Sequence, residues 1–373
     1  MHRHVYIELS IIVLVLAISG CHLVSLTSHE NISGSMTTAP PSLYSMALPT
    51  ESAQDYPNAS QFATTLASFQ RRRLHCFTYI ETQWGTAPGE FGFCPLSSHL
   101  RGPYPPVFNA QGDLFILDIA NQRIERYSGN KSSQVIPLPS VYGDGCSSGW
   151  SNIAVSWDRL FLTYSVLHRG RVVDHLAVLS LSGQERGVID LEPYYPLRPL
   201  YVDSLLPDQK GGVYLLLLPP AIVHFDEQLR PWFIYRSLEA GLNEVLVIGW
   251  DGNIYTYNKD GVLSNWGADR RCLELCESPI EVKRISAAVQ HTSLTNVRLL
   301  GIDVEGRAYF AAWVHKSGHD EEILIRLSDN QLPVIAVGKF PDRLAPDGAL
   351  YDIQYDPGNP LIRPRIIKCV LED

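Results

Sequence analysis

Val107-Phe108-Asn109-Ala110-Gln111-Gly112-Asp113-Leu114-Phe115 decides how the chain is read. An apolar pair runs into a turn of Asn, Gly and Asp, and an apolar–aromatic pair opens a second run. That order is the signature of a β-hairpin. The phrase recurs at Ile153 to Phe161, and at Asp203 to Tyr214 with its turn at Asp208-Gln209-Lys210-Gly211-Gly212. It recurs again at Val245 to Tyr255, turning at Asp251-Gly252-Asn253, and at Leu299 to Tyr309, turning at Glu305-Gly306. A weaker sixth copy surrounds Asp347-Gly348 and Tyr351.

The aromatic markers Phe115, Phe161, Tyr214, Tyr255, Tyr309 and Tyr351 are spaced by 46, 53, 41, 54 and 42 residues. A period in this range is the length of one four-stranded propeller blade. One blade cannot bury both of its faces, whereas blades in a ring bury each other and leave few open edges. The expected fold is all-β, a six-bladed β-propeller over residues 71–373. A sandwich with recurring hairpins is the alternative. For the ring to close, Leu74 to Ile80 and Pro364 to Leu371 are expected to pair within one blade.

Bulk composition agrees. Of 373 residues, 45% are hydrophobic and 18% charged, with 27 Gly and 25 Pro, a turn-rich globular balance. The formal net charge is −9, so the chain lacks the basic footprint that nucleic acid requires.

One copy carries more than the hairpin. Gln83-Trp84-Gly85-Thr86-Ala87-Pro88-Gly89-Glu90-Phe91 is a glycine-rich lead-in, and Gly112 to Ile124 contains Asp118-Ile119-Ala120-Asn121-Gln122-Arg123-Ile124. Together they resemble an NHL repeat; the other copies keep the hairpin and lose the rest. The resemblance implies a six-bladed propeller and no particular activity.

The N-terminus gives an address. Arg3 precedes an apolar run, Leu9 to Ile18, interrupted only by Ser10. At roughly 1.5 Å per residue this run covers about half of a bilayer core, too short to span and right for a signal peptide. Ile18-Ser19-Gly20-Cys21 follows. It resembles the bacterial lipobox, which implies lipid attachment at Cys21, a signal peptide at 1–20 and a mature protein held on the extracytoplasmic side of a membrane. Residues 21–70 are rich in Ser, Thr, Ala and Pro without periodicity and are expected to be a flexible tether of about 40 Å.

Setting Cys21 aside leaves Cys76, Cys94, Cys146, Cys272, Cys276 and Cys369, an even number suited to disulfides in an exported protein. Ring closure pairs Cys76 with Cys369. Proximity pairs Cys272 with Cys276, leaving Cys94 with Cys146.

No motif converges on catalysis. Gly145-Cys146-Ser147-Ser148-Gly149 fits G-x-S-x-G, but a strand rather than a helix follows it. Trp157-Asp158 and Trp250-Asp251 match the WD dipeptide, yet both fall inside the first hairpin turn, where chance is the better reading. His315 to Glu321 and His168 to His175 are polar loops. The tight first-to-second-strand turns share one face of the ring, so the longer loops gather on the other, where function concentrates. Tyr104, Trp150, His168, Tyr194, Tyr195 and His315 are the candidate ligand contacts there. The leading function is a lipid-anchored binding module for a protein or a cell-envelope saccharide, with no cofactor. The alternative is a metal-dependent propeller hydrolase, lactonase or lyase using Ca²⁺, with Asp118, Asp203 and Asp303 as the carboxylates. A structural role in an envelope complex is a third class.

Overall fold

The computed structural model describes residues 70–372 apart from 96–99, 130–132, 140–150, 169–170, 195–200, 219–220, 235–244, 259–260, 269–277, 280, 285–293, 317–318, 329–332, 357–358 and 360. These residues form six antiparallel four-stranded sheets, the blades of a propeller, and no α-helix. Blade 1 consists of Val107–Phe108, Leu114–Asp118, Arg123–Tyr127 and Ser133–Pro137. Blade 2 is Asn152–Ser156, Arg159–His168, Arg171–Ser180 and Glu185–Asp190. Blade 3 is Tyr201–Pro207, Val213–Leu218, Ala221–Phe225 and Pro231–Ile234. Blade 4 is Val245–Ile248, Ile254–Tyr257, Val262–Asn265 and Glu281–Arg284. Blade 5 is Leu294–Ile302, Ala308–Lys316, His319–Leu327 and Val334–Val337.

Blade 6 closes the ring with both chain ends. Arg343–Leu344, Leu350–Gln354 and Arg365–Leu371 are its inner three strands, and Leu74–Glu81 is its outermost. Cys76 lies directly opposite Cys369 in this register and forms a disulfide with it. The expected closure is therefore present. Cys94 is also disulfide-bonded, to a partner outside the described residues. Before entering blade 6, Gln70 and Arg71 pair in parallel with Val334 and Ile335, adding a fifth, outer strand to blade 5.

The periodicity has a physical cause. The second strand of each blade is largely buried on both sides and so is mostly apolar, as in Leu114-Phe115-Ile116-Leu117, while outer strands such as Glu185–Asp190 are largely exposed. Leu114 and Ile116 pack toward blade 6, while Phe115 and Leu117 pack toward blade 2, the two-residue alternation of a strand. Each of the six buried hydrophobic clusters fills one junction between neighbouring blades. Every marker aromatic points into the junction with the following blade: Phe115, Phe161, Tyr214, Tyr255, Tyr309 and Tyr351 in turn. Each such burial contributes roughly 1.5–3 kcal/mol, so the markers recur because each blade needs one against its neighbour.

The first hairpin turns are capped by side chains. Asn109 Oδ1 accepts from the amides of Gln111 and Asp113, Asp208 Oδ1 from Lys210 and Gly212, and Asp303 Oδ1 from Glu305 and Arg307. These caps satisfy turn amides that the ladder leaves unpaired. The strand order puts the first-to-second and third-to-fourth turns on one face of the ring, the turn face. The second-to-third turns and the connections between blades lie on the other, the loop face.

Candidate functional site

The six innermost strands surround an axial cavity of about 170 Å³. Val107, Val155, Leu205, Val247, Leu300 and Leu344, one from each blade, line it. Polar groups meet it near its ends: Gln209 and Trp250 toward the turn face, Asp342 and Arg343 toward the loop face.

At the loop-face mouth, between blades 5 and 6, charged side chains gather above the apolar junction. Strand alternation places Glu322 on the side of Leu324, and Asp342 and Asp352 on the side of Leu344 and Leu350, all facing the same cleft. Arg298, on the innermost strand of blade 5, bridges Asp342 at 2.5 Å and reaches Glu322 at 3.9 Å. Burial raises the Glu322 carboxyl above its ordinary value; Arg298 opposes the rise and Asp342 adds to it. Burial likewise raises Asp352, with Asp342 adding repulsion. Two carboxyls whose protonated form is favoured more than usual, beside a guanidinium, make this a polar cleft suited to a hydrogen-bonding ligand.

A second concentration lies nearby on the same face. The lead-in from Trp84 to Gly92 is fixed by an ionic group buried in blade 1. Arg123 donates to the carbonyls of Thr86, Ala87 and Glu90 at 2.6, 2.7 and 2.6 Å, and its Nε lies 2.8 Å from Glu125. Asp118 accepts the amide of Gly92 at 3.2 Å and the side chain of Asn121 at 2.7 Å. Burial raises both Asp118 and Glu125 despite these partners. Held this way, Trp84 meets Phe93 and Tyr355 edge-on at 5.6 and 5.7 Å, and its indole N–H donates to the Ile362 carbonyl at 3.0 Å. Leu361 is 89% exposed, Ile362 45% and Phe93 37%. A groove of about 380 Å³ beside them is lined by Glu81, Thr82, Leu361, Ile362, Arg363 and Arg365.

The candidates from sequence fall in several places. Tyr104 and Tyr194 are half-buried on the loop face but serve different junctions: Tyr104 packs between blades 1 and 2, and Tyr194 meets Phe225 edge-on at 5.3 Å between blades 2 and 3. His168 and His315 stand at the ends of long strands, where His168 pairs with Arg171 and His315 with Asp320. The expected loops at 168–175 and 315–321 are thus mostly strand, because the pairing extends to His168–Arg171 and Lys316–His319. Side chains of His168, His315 and Asp203 lie outside the description, as do Cys21, Cys146, Trp150, Tyr195, Cys272 and Cys276.

Asp118 and Asp303 are not brought together. Asp118 ends a second strand on the loop face, whereas Asp303 caps a first turn on the turn face. Asp303 also accepts from Arg307 at 2.5 Å and Tyr309 at 3.1 Å. Among the described residues no three His, Cys, Asp or Glu side chains are grouped to hold a metal. Sequence reasoning missed Arg298, Glu322, Asp342 and Asp352, whose meeting depends on the curvature of the ring. It did not single out Leu361 and Ile362.

The chain is a six-bladed β-propeller closed by its own two ends, with an apolar axis and irregular, aromatic and charged loops on one face. No protein-family model and no curated protein matches its sequence. Among solved structures it is similar to a luciferin-regenerating enzyme, at 13% identity over 72% of this chain and 91% of that one, with a TM-score of 0.40. It is similar to a streptogramin B lyase at 11% identity over 80% and 97%, with a TM-score of 0.39. A protein from Bacteroides vulgatus resembles it at 11% identity over 81% and 99%, with a TM-score of 0.42. At these identities the likeness concerns the fold alone.

Proposed function

We propose that the chain is a lipid-anchored extracytoplasmic binding module that engages a protein partner on its loop face. The observation that carries this is the exposed apolar group of Phe93, Leu361 and Ile362, backed by Trp84 and bordered by Glu81, Arg363 and Arg365. An apolar centre with a charged rim is the anatomy of a protein–protein interface. The anchor would be Cys21, at the end of the 21–70 tether. The first described residues support this arrangement. Gln70 pairs with Val334, at the turn-face end of the outer strand of blade 5, so the tether joins away from the loop face.

The test is a photo-crosslinking side chain at Phe93 of the full-length protein, irradiated in its native envelope. A discrete protein adduct that disappears on Leu361→Asp with Ile362→Asp is expected. Absence of any adduct from this position would overturn the assignment.

A further inference from the structure

Trp157 stands out on the opposite, turn face. Its strands pair Ser156 with Arg159, so Trp157 and Asp158 alone make the turn. Trp157 has φ 53°, a left-handed conformation at the first central position of a two-residue hairpin, where glycine is the usual occupant. A bulky side chain there is unfavourable by itself. It is also 63% exposed, the most exposed aromatic side chain among the described residues. Apolar burial explains neither choice.

The surroundings fix the ring. The indole N–H donates to the carbonyl of Gln209 in the neighbouring turn of blade 3, so the indole is held at one edge while most of the side chain stays open. Beside it Asp158 pairs with Arg186 at 2.7 Å and lies 3.7 Å from Arg159. Arg159 in turn donates to the Glu227 carbonyl at 2.5 Å, tying this turn to blade 3. Gln209, which holds the indole, also lines the axial cavity.

We propose that Trp157 is a stacking platform for a saccharide ring, with Asp158 and Arg186 meeting its hydroxyls. A pyranose offers one apolar C–H face and a polar rim, which matches an exposed indole bordered by a carboxylate and a guanidinium. An anionic lipid surface would call for a run of positive charge, whereas Arg159 and Arg186 here are interleaved with Asp158 and Glu227. An apolar peptide side chain would call for a pocket rather than one open ring. This site is separate from the loop face and independent of its reading.

Saturation-transfer difference NMR on the purified protein with chitotetraose and with cellotetraose at millimolar concentration tests it. Transfer to pyranose C–H protons is expected with at least one of them. It should fall at least fivefold in Trp157→Gly and persist in the Leu361→Asp, Ile362→Asp variant. Because glycine suits this turn, Trp157→Gly should fold, with its melting temperature confirming it; Trp157→Ala provides a second variant. No transfer with either oligosaccharide, or transfer unchanged in both Trp157 variants, overturns the proposal. Transfer lost only in the Leu361→Asp, Ile362→Asp variant also overturns it.

Discussion

Nε2 of His224 lies 2.9 Å from Oδ2 of Asp208, with both side chains buried in blade 3. Burial alone would raise the Asp208 carboxyl. The His224 side chain and the amides of Lys210 and Gly212 outweigh it and hold the carboxyl below its ordinary value. A carboxyl lowered on folding contributes stability above its unfolded value of about 3.9, lost as pH falls through the folded value. Asp208→Asn should therefore cost roughly 1.5–3 kcal/mol at neutral pH and flatten the acid limb of a melting-temperature profile. An unchanged acid limb would place the sensitivity elsewhere.

Asp118 and Glu125 carry the opposite sign. Their carboxyls are raised on folding, so the native state holds protons more tightly than the unfolded chain. Stability from these groups increases as pH falls from their raised values toward the ordinary range. Arg123→Ala removes their shared partner and should cost about 3–5 kcal/mol near pH 7. Urea melts at two pH values check the corollary: the penalty shrinks in mild acid, where the carboxyls can neutralise.

The Cys76–Cys369 bridge spans 293 residues. Closing so long a loop restricts the unfolded chain, worth on the order of 5 kcal/mol at most on entropy grounds. Cys76→Ser with Cys369→Ser should lower the melting temperature by several degrees without changing the far-ultraviolet circular dichroism at 20–25 °C.

Gly112 and Gly348 share φ +81° in equivalent first turns, but only Gly348 is crowded, since a Cβ there would lie 2.2 Å from the Tyr309 hydroxyl. Gly112→Ala should cost about 1–2 kcal/mol, the backbone penalty alone. Gly348→Ala should cost clearly more, because Tyr309 is buried and bonded to Asp303. Equal losses in chemical denaturation would argue against the Tyr309 contact.

The binding-module reading expects a protein indifferent to chelators. Elemental analysis and thermal melts with and without EDTA decide this. A stoichiometric metal whose removal lowers the melting temperature would favour the calcium-dependent enzyme.

The ring was legible because its determinants are local. Asx-Gly turns and the aromatic after each turn lie within a dozen residues, and their recurrence counts the blades. The Cys76–Cys369 pair followed from closure alone. The binding surfaces were less legible because they join distant segments. Trp84 reaches Ile362 across 278 residues of chain, and Arg298 meets Asp342 across a blade junction. Trp157 was legible as a turn residue, but its left-handed backbone and the bond that fixes its indole were not, since that bond comes from Gln209 in the next blade.

Because the outermost strand of blade 6 comes from the N-terminal side and pairs with Arg365–Leu371, the circle cannot close until that last strand has been made. Until then the early strands cannot complete their final sheet, so the nascent polymer stays unlatched. The latch and the Cys76–Cys369 bond become possible together.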